Sequence, residues 1–321
     1  PALPPRTPRA TPPTMELEAL QEEVQILRAE LVRKDAIIKG LLGTLETTAI
    51  TTADGFGGTT QSSTPLQDLC QISKEACDAV TPMLKAFYEK ISDQRHGGAS
   101  KLKSDATYFT IADGIVQHMF IQHLFAGNKF AQIVGEEDES VINILEKPFS
   151  VDDLMVPDEF NSIISSTLKE IDQLASRIDP NLYKTMTVFV DPIDGTREFA
   201  TAQGEYVTIL IGYNDAVGHP AAGIMYRPLT TPVTWAAGAK SESVVMGHLD
   251  MADPPVPNGM LITDGKVSPF IVDLIDELGY VRVPSVASGN RAMMLLEGKG
   301  GAYIRDTGGF AKWDTSAPTA V

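Results

Sequence analysis

The chain has 321 residues, 26 Lys and Arg against 42 Asp and Glu, a net charge of −16 and only two cysteines. That length buries a substantial core without disulfides or a metal staple. The acidic balance argues against binding long nucleic acids or docking on an anionic membrane surface, since both rely on Lys and Arg. No uncharged apolar run approaches the roughly 18 residues of a membrane span, so a soluble chain with no membrane partner is expected. The acidic excess has two readings: a solvated, self-repelling surface, or carboxylates that hold cations.

Residues 1–14 are proline-rich, carry Arg6 and Arg9 and have no acidic residue. Such a segment cannot bury enough apolar surface to fold and reads as disordered. A chain that begins at proline is expected to have been cut from something longer. The cytoplasm is the expected compartment, with an organelle as the alternative if a targeting peptide preceded residue 1. From Met15, the residues Leu17, Leu20, Val24, Leu27, Leu31, Lys34, Ile38, Leu41 and Leu45 recur at alternating spacings of three and four. This heptad seam, interrupted once by the polar Lys34, predicts a coiled coil over 15–46. Self-association as a homodimer is preferred over one amphipathic helix packed on its own domain, because the period stays near 3.5. The Gly- and Thr-rich stretch 47–65 reads as a flexible linker.

Helical spacing resumes through Leu69, Ile72, Ala76, Val80, Met83, Phe87 and Ile91, a structural helix of a globular domain. Cys70 and Cys77 lie on it and read as buried free thiols. A second helix is expected over Ile111 to Phe125. Strands are expected over Met186 to Val190, Val207 to Tyr213, Ala222 to Tyr226 and Val233 to Ala236, the later ones as an antiparallel meander. Beyond the Pro-rich stretch from Asp253 to Asn258, the pattern changes to helices over Ser268 to Leu278 and Asn290 to Glu297 and a strand over Ala302 to Ile304. The expected organisation is an α+β half over 66–255 and an α/β half over 256–321.

Asp191-Pro192-Ile193-Asp194-Gly195-Thr196 directly follows an apolar strand. Its two carboxylates, with the Ile193 carbonyl between them, form the kind of oxygen ligand set that suits a hard cation such as magnesium. The alternative is a turn in which each Asp caps local amides. Three more acidic sites stand at element ends. Gly135-Glu136-Glu137-Asp138 follows Ile133-Val134. Asp113 lies in Thr110-Ile111-Ala112-Asp113. Asp314 lies in Trp313-Asp314-Thr315-Ser316-Ala317-Pro318. For Asp113 and Asp314 the plain alternative is a helix N-cap.

Taken in order, T-I-A-D, V-G-E-E-D, F-V-D-P-I-D-G-T and K-W-D-T-S-A-P resemble the lithium-sensitive, magnesium-dependent phosphomonoesterases, the inositol monophosphatase superfamily. The resemblance covers roughly 66–321. Ser288-Gly289-Asn290-Arg291, Leu296-Glu297-Gly298-Lys299 and Ala302-Tyr303 look most like its bisphosphate nucleotidase branch. It implies a layered αβαβα sandwich preceded by the coiled-coil helix. It also implies Glu136, Asp191, Asp194, Asp314 and the Ile193 carbonyl as ligands of two or three Mg2+ ions, with Glu137 behind them holding metal-bound water. Asp113 and Thr196 match the pair that positions and deprotonates the attacking water, and Glu136 shares in that catalytic work. Gly195, Thr196, Ser288, Gly289, Asn290, Arg291 and Lys266 are the implied substrate contacts, Arg291 toward a second phosphate. For Arg291 the alternative is a surface arginine at a helix start.

The activity so implied is magnesium-dependent hydrolysis of the 3′-phosphate of adenosine 3′,5′-bisphosphate, or of its sulfated analogue, giving AMP and phosphate. An inositol polyphosphate 1-phosphatase or inositol monophosphatase activity is the alternative. A non-catalytic coiled-coil scaffold with an anion-binding domain is the alternative of another class. The chain departs from the branch in two places: Thr263-Asp264-Gly265-Lys266-Val267-Ser268 holds no histidine where that branch carries one. The resemblance also implies a further helix and strands past Asp314, so a chain stopping at Val321 is expected to be incomplete.

Overall fold

Helix α1 (Pro65–Asp93) opens with proline, which suits a first helical position because its missing N–H has no partner there. Glu242 closes that end. Its carboxylate accepts from Leu66 N at 3.1 Å and Gln67 N at 3.0 Å, and from the Thr64 hydroxyl. The apolar stripe from Leu69 to Ile91 is buried, and Cys70 and Cys77 on the same face are buried free thiols, as expected. The computed structural model describes residues 64–93, 99–136, 141–253, 259–306, 308 and 310–321. The expected disordered segment 1–14, the coiled coil 15–46 and its homodimer, and all but the last two residues of the linker 47–65 lie outside the described residues.

Helix α2 (Ala99–His118) runs directly into a π-helical turn, Met119–Leu124. It starts at Ala99 rather than Ile111, so Asp113 lies well inside the helix and is no N-cap. Strand β1 (Gln132–Gly135) follows, then three two-residue strands, β2 (Ile142–Asn143), β3 (Ser150–Val151) and β4 (Leu154–Met155), which form a small antiparallel sheet. Helix α3 (Asn161–Ala175) was not expected, although its buried Ile164, Leu168, Ile171 and Ala175 recur at helical spacing. Then come β5 (Thr187–Asp194), α4 (Thr196–Ala200), β6 (Thr208–Asn214), β7 (Pro220–Arg227), β8 (Thr234–Ala239) and β9 (Val244–His248). The last part of the described chain holds β10 (Met260–Thr263), α5 (Pro269–Glu277), β11 (Val281–Pro284), α6 (Ser288–Leu296), β12 (Ala302–Ile304) and α7 (Lys312–Ala320).

The main sheet has the order β1-β5-β6-β7-β8-β9, with β1 parallel to β5 and every later pair antiparallel. The expected meander is present and is extended by β9. Helices α1, α2 and α3 bury the large apolar core on one face of this sheet. On the other face, Leu210, Met225 and Ala236 pack against Met293 of α6 and Ala317 of α7. Beyond α6 stands the all-parallel sheet β11-β10-β12, with Ile271 and Ile275 of α5 closing it from outside over Leu261. The layers thus alternate α, β, α, β, α, and helices from 256–321 share a core with the sheet of 66–255. No helix among the described residues is long and apolar enough to cross a membrane.

One device brings α7 close to the sheet. Gly212 pairs with Gly223 and Gly223 with Gly238, a row of glycines across β6, β7 and β8. A Cβ on Gly212 would overlap the Ser316 side chain. One on Gly223 would stand 2.7 Å from Ala317 Cα, and one on Gly238 2.8 Å from Val321 Cα. The groove left by the absent side chains seats α7, and with it Asp314.

Candidate active site

Strand β5 carries the first two carboxylates. On a regular strand, residues three apart face opposite sides of the sheet, which would send Asp191 and Asp194 apart. The β5–β6 ladder slips between Asp191↔Leu210 and Asp194↔Thr208, leaving β5 one residue longer than its partner. This bulge holds Pro192, a residue sheets admit at bulges and edges, and re-aims the two side chains. Carboxylate oxygens of Asp191, Asp194 and Asp314 lie within 4.8 Å of one another. Gly195 then turns the chain with a φ of +97°, a conformation that strains any residue with a Cβ.

A second carboxylate pair completes the cluster. Strand β1 places Gly135 opposite Val190, so Glu136 comes level with Asp191. Burial pushes the Asp191 carboxyl well above its ordinary range, and the neighbouring Asp194, Glu136 and Asp113 carboxylates push it further. Asp191 Oδ1 is buried with no hydrogen-bond partner among the described residues. Buried oxygens are almost always paired, so an orphan aimed into an acidic cluster fits a cation ligand. Two ionised carboxylates 4.8 Å apart repel by about 3 kcal/mol at an effective dielectric of about 20. A divalent cation reverses that sign, and the donor set is the hard-oxygen kind that magnesium takes.

Helix α6 orients two of the three aspartates. The amide of Gly289 donates to Asp194 Oδ2 at 2.6 Å, Thr208 Oγ1 donates to the same oxygen at 2.8 Å, and the Ser288 amide donates to Oδ1 at 3.2 Å. Burial raises the Asp194 carboxyl while these three donors pull it down. The Ser288 hydroxyl donates to Asp314 Oδ1 at 2.6 Å, and Asp314 Oδ2 accepts from Ala311 N at 3.0 Å. Asp314 is thus the third residue of α7 rather than its N-cap, which is Ala311; it reaches back to the Ala311 amide with one oxygen and also stands in the carboxylate cluster. A Cβ on Gly289 would overlap the Thr208 hydroxyl, so only glycine lets α6 come this close to β6.

The remaining expected residues divide. Asp113 is buried on α2 within electrostatic reach of Asp191. Thr196 is exposed at the start of α4, which packs against α2 through the edge-to-face Phe109–Phe199 pair at 5.8 Å. The Ile193 side chain is buried in the core. Glu137 lies outside the described residues. Ser288 and Gly289, expected at the substrate, are engaged with carboxylates of the cluster instead. Asn290 is likewise turned inward: its Oδ1 accepts from Arg227 Nη2 at 2.8 Å and its Nδ2 donates to Ser285 Oγ at 3.1 Å. Arg291 is no surface residue; it is buried and paired with Asp264. Lys266 is exposed two residues past Asp264.

Sequence reasoning missed Thr208, read only as part of a strand, and the buried ion pair of Arg227 with Glu297. Neither carries a local signal, since their partners lie 14 and 70 residues away.

A family model described as the inositol monophosphatase family matches residues 66–321. The 3′(2′),5′-bisphosphate nucleotidase 1 of Mus musculus is 28% identical over 228 residues, covering 66% of this chain and 67% of that protein. The 3′(2′),5′-bisphosphate nucleotidase CysQ of Salmonella typhimurium is 29% identical over 137 residues, covering 41% of this chain and 53% of that protein. Among solved structures, CysQ from Bacteroides thetaiotaomicron aligns over 79% of this chain and 85% of that chain, at 18% identity and a TM-score of 0.49. The chain spans about two thirds of the mouse relative and about half of the Salmonella one. With a match that runs from residue 66 to residue 321 and takes in every carboxylate of the cluster, the chain belongs to the inositol monophosphatase family.

Proposed function

We propose that the chain is a magnesium-dependent phosphoric monoester hydrolase acting on the 3′-phosphate of adenosine 3′,5′-bisphosphate or its sulfated analogue, giving AMP and phosphate. One observation carries the chemistry: Asp191, Asp194 and Asp314 converge at a strand bulge, with a buried oxygen on Asp191 that has no hydrogen-bond partner among the described residues. The choice of a bisphosphate nucleotide is supported by the relatives, which bear the name of bisphosphate nucleotidases. It is also supported by the buried Arg291, three residues after Ser288 on α6.

Asp191, Asp194, Asp314, Glu136 and the Ile193 carbonyl would hold two or three ions, with Glu137 behind them. Magnesium bound there supplies neutralisation of the phosphate's charge, a lower pKa for the attacking water and stabilisation of the leaving oxygen. The chain's own groups do the rest. Asp113 accepts the proton of the attacking water, and the Thr196 hydroxyl orients that water. Gly195 and Thr196 border the reacting phosphate. Ser288 and Gly289 keep Asp194 and Asp314 aimed, which is the office of hydrogen bonds behind metal ligands. Arg291, with Lys266 at the exposed edge, faces the phosphate that is not cleaved.

The test is a phosphate-release panel with magnesium, with and without lithium, comparing adenosine 3′,5′-bisphosphate, inositol 1,4-bisphosphate and inositol 1-phosphate. The nucleotide is expected to be turned over fastest, lithium to inhibit, and Asp194→Asn to remove most of the activity. Faster turnover of an inositol phosphate would replace the substrate assignment, and full turnover by Asp194→Asn would remove the proposed metal role.

A further inference from the structure

The carboxyl ends of β10 and β12 receive three arginines around one aspartate. Open parallel sheets take their ligands at this edge. Asp264 follows Thr263, the last residue of β10. Its Oδ1 pairs with Arg291 Nη1 and accepts from the Tyr303 hydroxyl at 3.2 Å, and its Oδ2 stands 3.3 Å from Arg305 Nε. Arg282 pins the same loop from below, donating from Nη2 to the backbone carbonyls of Asp264 and Gly265 at 2.8 Å each. Arg291 also lies 5.2 Å over the Tyr303 ring and Arg305 4.6 Å over Phe310, so both guanidinium planes are fixed. Asp306, the residue after Arg305, accepts from the Ser268 amide at 2.9 Å.

Two observations say that this cluster looks toward a ligand. Arg291 is 7% exposed, yet its Nε has no hydrogen-bond partner among the described residues. Arg291 also stands three residues after Ser288, whose amide and hydroxyl hold Asp194 and Asp314. Those three residues are about 4.5 Å along the axis of α6. Arg291 thus leaves α6 a little under one turn from the residue that holds the carboxylates proposed to take the reacting phosphate.

We propose that Asp264 is a specificity-determining residue: an internal counter-anion that occupies the guanidinium pair in place of a second phosphate and so sets how tightly that phosphate is held. This rests on the reading of Arg291 as the contact of the uncleaved phosphate. The physical reason is one of uniform binding. Substrate and product both carry the uncleaved phosphate, so a tighter grip there stabilises both alike, lowering KM with no gain in kcat and slowing release of the product. A carboxylate between two arginines offsets the grip without removing the arginines that give it direction.

Asp264→Asn keeps the shape of the side chain and removes its charge. Its KM for adenosine 3′,5′-bisphosphate is expected to fall about tenfold, with kcat/KM rising by the same factor, as for the gain of one charge-assisted contact. The KM for adenosine 3′-monophosphate, which lacks the second phosphate, is expected to stay where it is. An unchanged or higher bisphosphate KM in folded Asp264→Asn overturns the proposal, as does an equal fall for both nucleotides. A second readout needs no catalysis: calorimetric binding of adenosine 5′-monophosphate in the presence of a chelator, which tightens by the same factor in Asp264→Asn if the proposal holds. Should neither chain hydrolyse any bisphosphate nucleotide, the functional reading fails while this binding comparison still decides the role of Asp264. Tyr303→Phe, which removes one donor from Asp264 but leaves its ion pairs, guards against a misfolded Asp264→Asn. It is expected to lower the bisphosphate KM by a smaller factor, and no change there counts against the proposal.

Discussion

Ser288 gives its amide to Asp194 and its hydroxyl to Asp314, so one residue of α6 aligns carboxylates from β5 and α7. Loss of the hydroxyl frees Asp314 Oδ1 to rotate without removing any of the proposed ligands. Ser288→Ala is therefore expected to weaken apparent magnesium affinity about 10- to 100-fold, seen as a rightward shift of the magnesium activation curve. The maximal rate should return at saturating metal, and an unshifted curve would deny Ser288 this role. The carboxylates themselves were legible in the sequence, because each stands within a short recognisable run of residues. The partners of those carboxylates were not: Ser288 meets Asp194 across 94 residues, and no local spacing encodes such a contact. Asp113 shows the same limit from the other side, since its role as a helix cap fell away only when α2 proved to begin at Ala99.

At the level of elements, α7 and α6 decide the geometry, and each is held by a device that local pattern does not show. The glycine row of β6, β7 and β8 accepts α7 at backbone distance. Gly223→Val would place a branched side chain where Ala317 Cα now stands. Such overpacking is expected to cost about 1–3 kcal/mol in denaturant unfolding and to weaken magnesium activation, because Asp314 moves with the helix. Retained stability and metal response would show that α7 is seated otherwise. Helix α6 is clamped by Arg227 of β7, whose guanidinium pairs with the fully buried Glu297 and bonds Asn290 at both its Oδ1 and its backbone carbonyl. Glu297→Gln leaves an unpaired buried charge and is expected to lose about 3–5 kcal/mol. The double variant Arg227→Met with Glu297→Leu is expected to recover most of that loss in the same urea titration. Strand alternation and helical spacing revealed most of these elements in advance. Helix α3 was overlooked despite its spacing, and β5 was expected to stop at Val190, just short of the bulge between Asp191 and Asp194 that makes it useful.

For the molecule as a whole, the net charge of −16 is less informative than where the acids stand. Packing several carboxylates into one buried cluster destabilises the metal-free fold, and a bound cation is expected to return that free energy. Magnesium at about 100 times its Kd should stabilise the protein by about 2.7 kcal/mol, raising Tm by about 5–10 °C for a domain of this size. Calorimetry with magnesium and with a chelator measures the shift, and Asp191→Asn should abolish it; an equal shift in both chains would place the stabilising ion elsewhere.

The sequence by itself determined the chemistry on offer: acidic groups in recognisable runs in a fixed order, a meander followed by an alternating α/β pattern, and hence the family. These are properties of residue type and short-range period, which survive without coordinates. Only the tertiary structure decided which acids meet, that a bulge turns Asp191 and Asp194 the same way, that Ser288 and Gly289 serve the carboxylates, and that Asp264 stands between Arg291 and Arg305. Those outcomes depend on contacts between residues tens to more than a hundred positions apart. Such contacts are set by how layers pack on one another, and no period along the chain carries that information.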